Sequence, residues 1–358
     1  MNVGLVVPGF SADATDWCIP ALRHLTRELA PNAHVRVIAV RYPYRCSRYN
    51  IEGTEVIALG GAEARGPRTL NLWQRTLGTV AAEHRRRRFD VLHAFWATES
   101  GLLAALAGRA FRIPTLVSLA GGELVGLRDI GYGDQRSAWE RLKVSAALRL
   151  ARAVSAGSRY LVRIAQHFRT PVEMLPLGVD TTLFRPANRS QSARLLHVGT
   201  LTPVKDQRLL LEALAELRKR GVDVALDIVG DGPLRAGLEE RARTLELAGA
   251  VRFLGAVDHA DLASIYQAAR LFVVTSRHEA QCMVALEAAS CGIPVVGTNV
   301  GVVPDLAPDA TVAVGDASAL ARVLQATATS SSRDLVEREF ALDVCARGFL
   351  ECYARLAA

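Results

Sequence analysis

The sequence lacks several features that would place it in other classes of protein. No apolar run approaches the ~20 residues that a membrane-spanning helix needs. The start, MNVGLVVPGF, has no basic segment and breaks at Pro8-Gly9, so it predicts a first β-strand and not a secretion signal. The six cysteines form no C-x-x-C pair and have no histidines at zinc spacing. This pattern favours reduced thiols in a cytoplasmic protein.

Two further absences exclude common functions. No G-x-G-x-x-G follows a predicted strand, which argues against a dehydrogenase, and no D-x-D pair indicates a metal site, so no cofactor is expected. The net charge is +7, and its densest cluster is His84-Arg85-Arg86-Arg87-Arg88. Without interleaved aromatic residues this cluster does not indicate nucleic acid. It suits a helix C-terminus, and a peripheral contact with anionic lipid at the inner face of the membrane is the alternative.

What the sequence does contain is a regular alternation of strands and helices. The strands expected in the first half are Val3–Val7, Val35–Val40, Val91–Ala94 and Thr115–Leu119, with short apolar runs near Ala153 and Val172. Those expected in the second half are Leu195–Val198, Ala225–Val229, Val251–Leu254, Leu271–Val274, Val295–Val296 and Val312–Val314. Such alternation predicts parallel sheets covered by helices on both faces.

The length of 358 residues suggests two domains. A linker is expected where Pro176–Asp180 is followed by the polar segment Asn188–Ser192. The prediction is an α/β protein with two Rossmann-like domains facing across a cleft. The first, residues 1–177, would bind the acceptor, and the second, residues 178–340, would bind a nucleotide sugar. The helix at 341–358 is expected to cross back onto the first domain.

Two carboxylates in the second half carry the most information. Glu279 lies in a polar loop after the strand Leu271–Val274, and Glu287 lies on the helix that begins near Cys282. The carboxyl end of a parallel strand is where open α/β sheets bind ligands. A helix N-terminus there suits a phosphate, and the carboxylates can accept hydrogen bonds from hydroxyls beside it. Phosphate and hydroxyls together indicate a sugar nucleotide.

Other loops at the carboxyl ends of strands supply further candidates. Lys205 precedes a helix, where a cation is unfavourable unless it meets an anion such as a diphosphate. Gly230 lies in a tight turn, and direct ligand contact there is the alternative to a purely structural role. Gly9 permits close approach of the backbone to a phosphate, or forms a plain turn.

In the first half, four residues are candidates for the acceptor side of the site. They are Phe10, Glu99, Gly121 and Glu123, which all follow predicted strands. For both carboxylates an ordinary structural role is the alternative. His93 lies inside a strand and is expected to be a packed core histidine.

Taken in order, four motifs resemble the family 4 retaining glycosyltransferases, which have the GT-B fold. They are Gly178-Val179-Asp180 with Phe184 and Pro186, Val198-Gly199 through Lys205, Val229–Pro233, and Glu279 to Glu287 with Cys291–Val296. The resemblance is strongest over residues 176–306 and is weaker but collinear from residue 1.

The resemblance implies roles for the residues of this donor site. Glu279 would contact hydroxyls of the donor sugar, Glu287 would hold the ribose, and Lys205 would bind the diphosphate. Backbone groups of Gln281, Cys282, Met283 and Val284 would line the sugar and phosphate. The acceptor hydroxyl would attack from the face that the diphosphate leaves, with retention of configuration and without a metal.

Three departures from the family pattern stand out. Thr200 replaces a frequent arginine, and Arg277 is a candidate to compensate for the missing charge. Ala280-Gln281-Cys282 replaces the usual Gly-Phe-Gly, which would narrow the sugar pocket. Ala120 stands where many members have a histidine.

The sequence therefore predicts a cytoplasmic hexosyltransferase of carbohydrate biosynthesis. Its donor would be a UDP or GDP sugar, and its acceptor a sugar, a glycan or a lipid-linked molecule. The alternatives are a sugar-nucleotide epimerase of the same fold and a non-catalytic protein that binds sugar nucleotides.

Overall fold

The structure, a computed structural model, describes residues 1–62, 64–168, 171–187, 193–326 and 331–358. The chain divides into two compact units, Met1–Gly178 with Leu342–Ala358, and Val179–Ala341. Both are Rossmann-like α/β units, which confirms the predicted fold class. The predicted polar linker segment Asn188–Ser192 lies outside the described residues.

The first unit is built on one mixed sheet. Its strands are β1 (Asn2–Gly9), β2 (His34–Tyr42), β3 (Cys46–Ile51), β4 (Thr54–Leu59), β5 (Val91–Phe95), β6 (Thr115–Leu119), β7 (Ala153–Ala156) and β8 (Glu173–Met174). Their order in space is β3-β4-β2-β1-β5-β6-β7-β8. The helices are α1 (Pro20–Leu29), α2 (Pro67–Arg86), α3 (Glu99–Phe111), α4 (Ala138–Leu150) and α5 (Arg159–Gln166).

The hairpin of β3 and β4 is the part of this sheet that the sequence pattern did not reveal. Within the described residues, β3 is the strand that pairs antiparallel, against β4. The two strands join at Glu52 and Gly53, which both have positive φ, of 49° and 83°. That backbone matches the tight turn that the twist of a hairpin favours.

The second unit repeats the parallel design. Its strands are β9 (Leu195–Val198), β10 (Leu226–Val229), β11 (Val251–Gly255), β12 (Leu271–Val274), β13 (Val295–Thr298) and β14 (Thr311–Val312). They lie in the order β11-β10-β9-β12-β13-β14 and pair in parallel. The helices are α6 (Gln207–Lys219), α7 (Arg235–Thr244), α8 (Leu262–Ala268), α9 (Met283–Ser290), α10 (Val303–Leu306), α11 (Ala317–Ala326) and α12 (Arg333–Leu335).

Helix α6 shows how local sequence fixes an element of this unit. The side chain of Asp206 caps its first turn by accepting from the backbone N–H of Leu209 (3.4 Å). Its leucines Leu210, Leu211, Leu214 and Leu217 are fully buried in the core. The helix ends before Gly221, whose φ of 78° suits a residue without a Cβ.

The last helix, α13 (Leu342–Ala357), belongs to the first unit. Its buried residues Ala346, Phe349, Cys352 and Tyr353 join the core formed around β1, β2 and α1. The Tyr353 hydroxyl lies 2.7 Å from Nδ1 of His93 in β5, and the other ring nitrogen of His93 lies 2.8 Å from Ser118 Oγ. His93 is therefore a packed core histidine, as expected.

Candidate functional site

The centre of the candidate site is the carboxyl edge of the second sheet, between β9 and β12. These two strands are neighbours, although β10, β11 and their helices lie between them in the chain. The chain therefore proceeds from β9 in one direction across the sheet, and from β12 in the other. Loops diverge at such a switch point, which is where doubly wound sheets bind ligands.

Lys205 and Glu279 come together at this switch point. Lys205 lies on the loop after β9 and Glu279 on the loop after β12, and Lys205 Nζ donates to Glu279 Oε1 at 2.5 Å. The Ser276 hydroxyl donates to the same oxygen at 2.6 Å. The side chains of Lys205 and Glu279 are only 22% and 12% exposed. The structure thus brings together two residues that the sequence assigned to one site.

The ionisation of Glu279 follows from these neighbours. Burial raises the pKa of Glu279, but the Lys205 ammonium and the Ser276 hydroxyl outweigh it and hold the pKa below its ordinary value. The carboxylate is therefore ionised at neutral pH and accepts hydrogen bonds. An ammonium group has three N–H donors, so Nζ of Lys205 can serve both Glu279 and a phosphate oxygen.

Backbone and hydroxyl contacts lock the two loops to each other. The Thr275 hydroxyl donates to the carbonyl of Lys205 (2.9 Å), and the backbone N–H of Arg277 donates to the carbonyl of Val204 (2.7 Å). The Thr298 hydroxyl, at the end of β13, donates to the carbonyl of Ser276 (2.7 Å). These bonds fix the positions of Lys205 and Glu279 before any ligand binds.

Gly230 supports the first of these loops from the side. Its φ is 121°, and a Cβ there would lie 2.0 Å from the carbonyl oxygen of Gly199. A side chain would therefore force the end of β9 to move. The structure gives Gly230 a clear packing role, and contact with the donor stays a prediction. Thr200, beside Gly199, is exposed, and its carbonyl accepts from the Gln207 amide (3.0 Å).

The start of α9 has an unusual backbone. Cys282 occupies the N-cap position with φ of 80° and makes no side-chain capping bond. A non-glycine residue pays an energetic cost in this left-handed region, which explains why glycine is usual there in the family. The backbone N–H groups of Met283 and Val284, in the first turn, precede the i→i−4 ladder of the helix. They suit an anion at this edge of the sheet.

Glu287 has protein partners that the sequence did not reveal. Its carboxylate accepts from the Tyr266 hydroxyl (2.9 Å) and lies 3.0 Å from His259 Nε2. All three side chains are buried or nearly so, and Phe184 packs edge-on against the rings of Tyr266 and His259. Burial, with the nearby Glu287, raises the pKa of Tyr266 well above its ordinary value, so its hydroxyl stays a donor.

These partners change the argument for Glu287. The sequence argument expected a ribose to satisfy an otherwise lone carboxylate, and the structure satisfies it with Tyr266 and His259. A role in holding the ribose stays a prediction. The two donors instead orient the carboxylate, since each oxygen has one partner.

The predicted acceptor-side carboxylates have structural partners within the first unit. Glu99 accepts two hydrogen bonds from the Arg41 guanidinium (2.6 and 2.9 Å) and one from the Trp73 indole (2.7 Å). Glu123 is only 1% exposed and accepts from the backbone N–H groups of Ala97, Ala120 and Gly121. Burial raises the pKa of Glu123 despite these donors. Both placements favour a structural role.

The other first-unit candidates lie at the same edge of their sheet. Phe10 is buried in the core, directly after Gly9 at the end of β1. A Cβ on Gly121 would come within 2.8 Å of the Trp96 indole nitrogen, so this glycine allows the loop to approach Trp96 closely. Contact of any of these residues with an acceptor stays a prediction.

Two family models match adjacent stretches of the chain. The glycosyl transferase 4-like domain matches residues 19–195, and glycosyl transferases group 1 matches residues 180–334. The fold and site are those of nucleotide-sugar-dependent glycosyltransferases with the GT-B fold. The chain belongs to glycosyltransferase family 4.

Curated relatives agree with this assignment. One of them is a phosphatidylinositol N-acetylglucosaminyltransferase subunit of Arabidopsis thaliana, to which the chain is 36% identical over 141 residues, or 38% of this chain and 32% of that protein. The chain is also 34% identical over 248 residues to the D-inositol 3-phosphate glycosyltransferase of Frankia alni. That match covers 62% of this chain and 60% of the relative, so the chain spans less than two thirds of either protein.

Solved structures share the fold over nearly the whole chain. A sucrose-phosphate synthase from Thermosynechococcus elongatus superposes with a TM-score of 0.78 at 21% identity, covering 99% of both chains. The Anabaena protein HepE, in complex with UDP and glucose, gives a TM-score of 0.74 at 19% identity and covers 99% of this chain and 100% of its own. At these identities the likeness shows the fold alone.

Proposed function

We propose that the protein is a retaining glycosyltransferase that moves a hexose-type sugar from a nucleoside diphosphate sugar to an acceptor hydroxyl without an essential metal. The observation that carries the proposal is the Lys205–Glu279 pair at the switch point of the second sheet, beside the N-terminus of α9. Family membership supports the same reaction class.

The donor would be held mainly by charge and backbone donors. Lys205 and the N–H groups of Cys282, Met283 and Val284 would bind the diphosphate, with Gln281 lining the sugar. Arg277, whose backbone is bonded next to Lys205, would supply the positive charge that Thr200 lacks. Glu279, ionised by its neighbours, would accept from hydroxyls of the transferred sugar. Glu287, oriented by Tyr266 and His259, would accept from the ribose.

In the transfer step, the bond from the anomeric carbon to the diphosphate oxygen breaks, and a bond from the same carbon to the acceptor oxygen forms. The acceptor attacks the face from which the diphosphate leaves, and a phosphate oxygen takes the acceptor's proton. Negative charge accumulates on the diphosphate as the bond breaks. Cationic and N–H groups fixed in advance stabilise that charge more than they stabilise the ground state.

The comparisons guide the choice of substrates. HepE was solved with UDP and glucose, which favours a uridine diphosphate sugar over the GDP type. Two relatives carry the names of inositol 3-phosphate and phosphatidylinositol transferases. We infer an acceptor that carries a phosphate and a hydroxyl-rich ring, either free or lipid-linked. The protein would act in the cytoplasm, and among the described residues no helix is long and apolar enough to cross a membrane.

Two residues favour a second candidate function, that of a protein which binds sugar nucleotides without turnover. Thr200 and Ala120 stand where the family often has arginine and histidine, so two groups that contact the donor are missing. The retained Lys205–Glu279 pair argues for catalysis, because binding alone does not require an ionised carboxylate at the sugar.

A donor panel tests both candidates. The thermal unfolding midpoint is measured with UDP, GDP, UDP-glucose, UDP-N-acetylglucosamine and GDP-mannose, and hydrolysis of each binding donor is then followed. The proposal predicts stabilisation by one sugar nucleotide, with release of its nucleoside diphosphate. Stabilisation without any turnover on inositol phosphate or lipid acceptors would support the binding protein, and no stabilisation by any donor would reject both.

A further inference from the structure

The carboxyl edge of the first sheet carries the most exposed large apolar side chains among the described residues. Tyr44 is 71% exposed, Leu70 61%, Leu142 59% and Trp139 57%. Isolated exposed apolar residues are ordinary, but large ones gathered at one edge mark an interaction surface.

The topology places all four at the same edge. Tyr44 follows the end of β2 at Tyr42. Helices that connect parallel strands run antiparallel to them, so α2, which leads into β5, and α4, which leads into β7, both begin at the carboxyl edge. Leu70 lies in the first turn of α2, and Trp139 and Leu142 lie in the first two turns of α4.

Helix α4 presents a basic and apolar face. Trp139 and Leu142 are three residues apart and therefore share one side of the helix. Arg141 beside them is exposed, and so is Arg149 further along. The one acidic residue of α4, Glu140, is paired with Lys143 at 2.8 Å.

The start of α2 adds a basic cavity to this edge. It has a volume of about 450 Å³ and is lined by Arg68, Asn71 and Arg75 together with Gly60, Gly61 and Pro67. Arg75 is anchored because its guanidinium donates to the carbonyl of Leu59 (2.8 Å). Two guanidinium groups around one cavity suit a phosphate oxygen.

We propose that this edge docks on the surface of an anionic lipid bilayer, with Trp139 and Leu142 inserted among the lipids and the arginines on the headgroups. Tryptophan and tyrosine favour the membrane–water interface, and each basic residue near an anionic surface strengthens the attraction. The inference rests on the proposed function in one respect: a lipid-linked acceptor would then meet the edge at which α/β sheets bind ligands.

The basic cluster His84–Arg88 lies at the wrong end for this task. It ends the 20-residue helix α2, about 30 Å from the carboxyl edge at which that helix begins. Arg86 is also partly neutralised, because it pairs with Glu55 (2.9 Å) and Glu83 (3.3 Å). A membrane bound there would be held away from the start of α2. The two surfaces therefore make opposite predictions.

Vesicle sedimentation of the full-length protein distinguishes them. The probes are vesicles of phosphatidylcholine alone and of phosphatidylcholine with phosphatidylglycerol. Wild type is expected to bind the anionic vesicles and to lose binding as salt rises. Trp139→Ser with Leu142→Ser should weaken that binding at least about tenfold, because two buried apolar side chains are removed from the interface. The matched control, Arg85→Ser with Arg88→Ser, should bind within about twofold of wild type.

Three results would overturn the proposal. They are no sedimentation of wild type with anionic vesicles, equal sedimentation of the Trp139 and Leu142 variant, or a greater loss in the Arg85 and Arg88 variant. Thermal stabilisation by the sugar nucleotide is measured on every variant. If it persists while vesicle binding is absent in wild type, the docking surface is rejected and the proposed transferase function stands.

Discussion

Lys205 Nζ and Glu279 Oε1 lie 2.5 Å apart, although the two residues are separated by 74 positions in the chain. The contact joins the loops on the two sides of the switch point in the second sheet. Each charge stabilises the other in a half-buried place, so neither can be removed without exposing the cost of burying its partner. The pair is thus both a structural link and the charged centre of the proposed donor site.

Removing the charge of Lys205 should weaken donor binding and raise the pKa of Glu279. Lys205→Met leaves the carboxylate half-buried without its counter-charge and removes a cation from the diphosphate. We expect the dissociation constant for a nucleoside diphosphate to rise at least about tenfold, which is about 1.4 kcal/mol. Calorimetric titration measures it. Lys205→Arg, which keeps the charge, should lose less, and equal affinity in Lys205→Met would remove Lys205 from the diphosphate site.

The donors to Glu287 should matter for the nucleoside half of the donor. Tyr266→Phe removes the hydroxyl that orients the carboxylate, and should cost about 1–3 kcal/mol in the free energy of unfolding. It should also weaken the binding of a nucleoside diphosphate. Tyr353→Phe is the matched control, since its hydroxyl contacts His93 in the first unit. Affinity that falls equally in both variants would show a general loss of structure instead of a role at the ribose.

Two buried histidines should make the protein sensitive to acid. Burial lowers the pKa of His93 to about 3 and that of His197 to about 4, whereas both titrate near 6.5 when unfolded. As the pH falls below 6.5 the unfolded chain binds more protons than the folded one. Each histidine therefore lowers the free energy of unfolding by up to about 1.4 kcal/mol per pH unit, and its contribution is complete only above pH 6.5.

Calorimetric unfolding at pH 7.5 and pH 5.0 measures this dependence. His93→Gln should reduce the difference between the two midpoints for the first unit, and His197→Gln should do so for the second. The exposed His167 provides the control variant, His167→Gln, which should leave the difference unchanged. Retention of the full difference in both buried variants would mean that other groups cause the acid sensitivity.

The left-handed backbone at Cys282 gives a prediction about stability. Cys282→Gly relieves a strain of about 1 kcal/mol, which offsets the loss of a small buried side chain. The free energy of unfolding should stay within about 1 kcal/mol of wild type or rise. Cys291→Gly, at a buried position with an ordinary φ of −72°, should lose more, about 1–2 kcal/mol. Urea unfolding compares the two, and a larger loss at Cys282 would contradict the strain.

Particular residues show how far the sequence reaches. The loops that carry Lys205 and Glu279 could be predicted because each follows a short apolar strand, and family spacing brought them to one site. The strand pair β3 and β4 was missed because β3, CSRYNI, is largely exposed and polar, so it gives no apolar run. Its turn at Glu52-Gly53 is the signal that could have revealed it.

The surroundings of a candidate side chain were harder to predict than its place on a loop. Glu123 follows β6 as expected, but three backbone N–H groups from its own and a neighbouring loop enclose it. Tyr266 and His259 reach Glu287 from α8 and the turn before it, across more than 20 residues of chain. Such contacts depend on tertiary packing, which no local pattern in one sequence records.

The most direct test of the proposed function is the rate of donor hydrolysis and sugar transfer by Glu279→Gln. The substitution keeps the shape of the side chain but removes the charge that pairs with Lys205 and accepts from the sugar hydroxyls. Glu239→Gln, at an exposed position in α7 of the same unit, is the control. The account predicts that kcat/KM falls at least about 100-fold in Glu279→Gln and stays near wild type in Glu239→Gln. Equal rates in wild type and Glu279→Gln would contradict it.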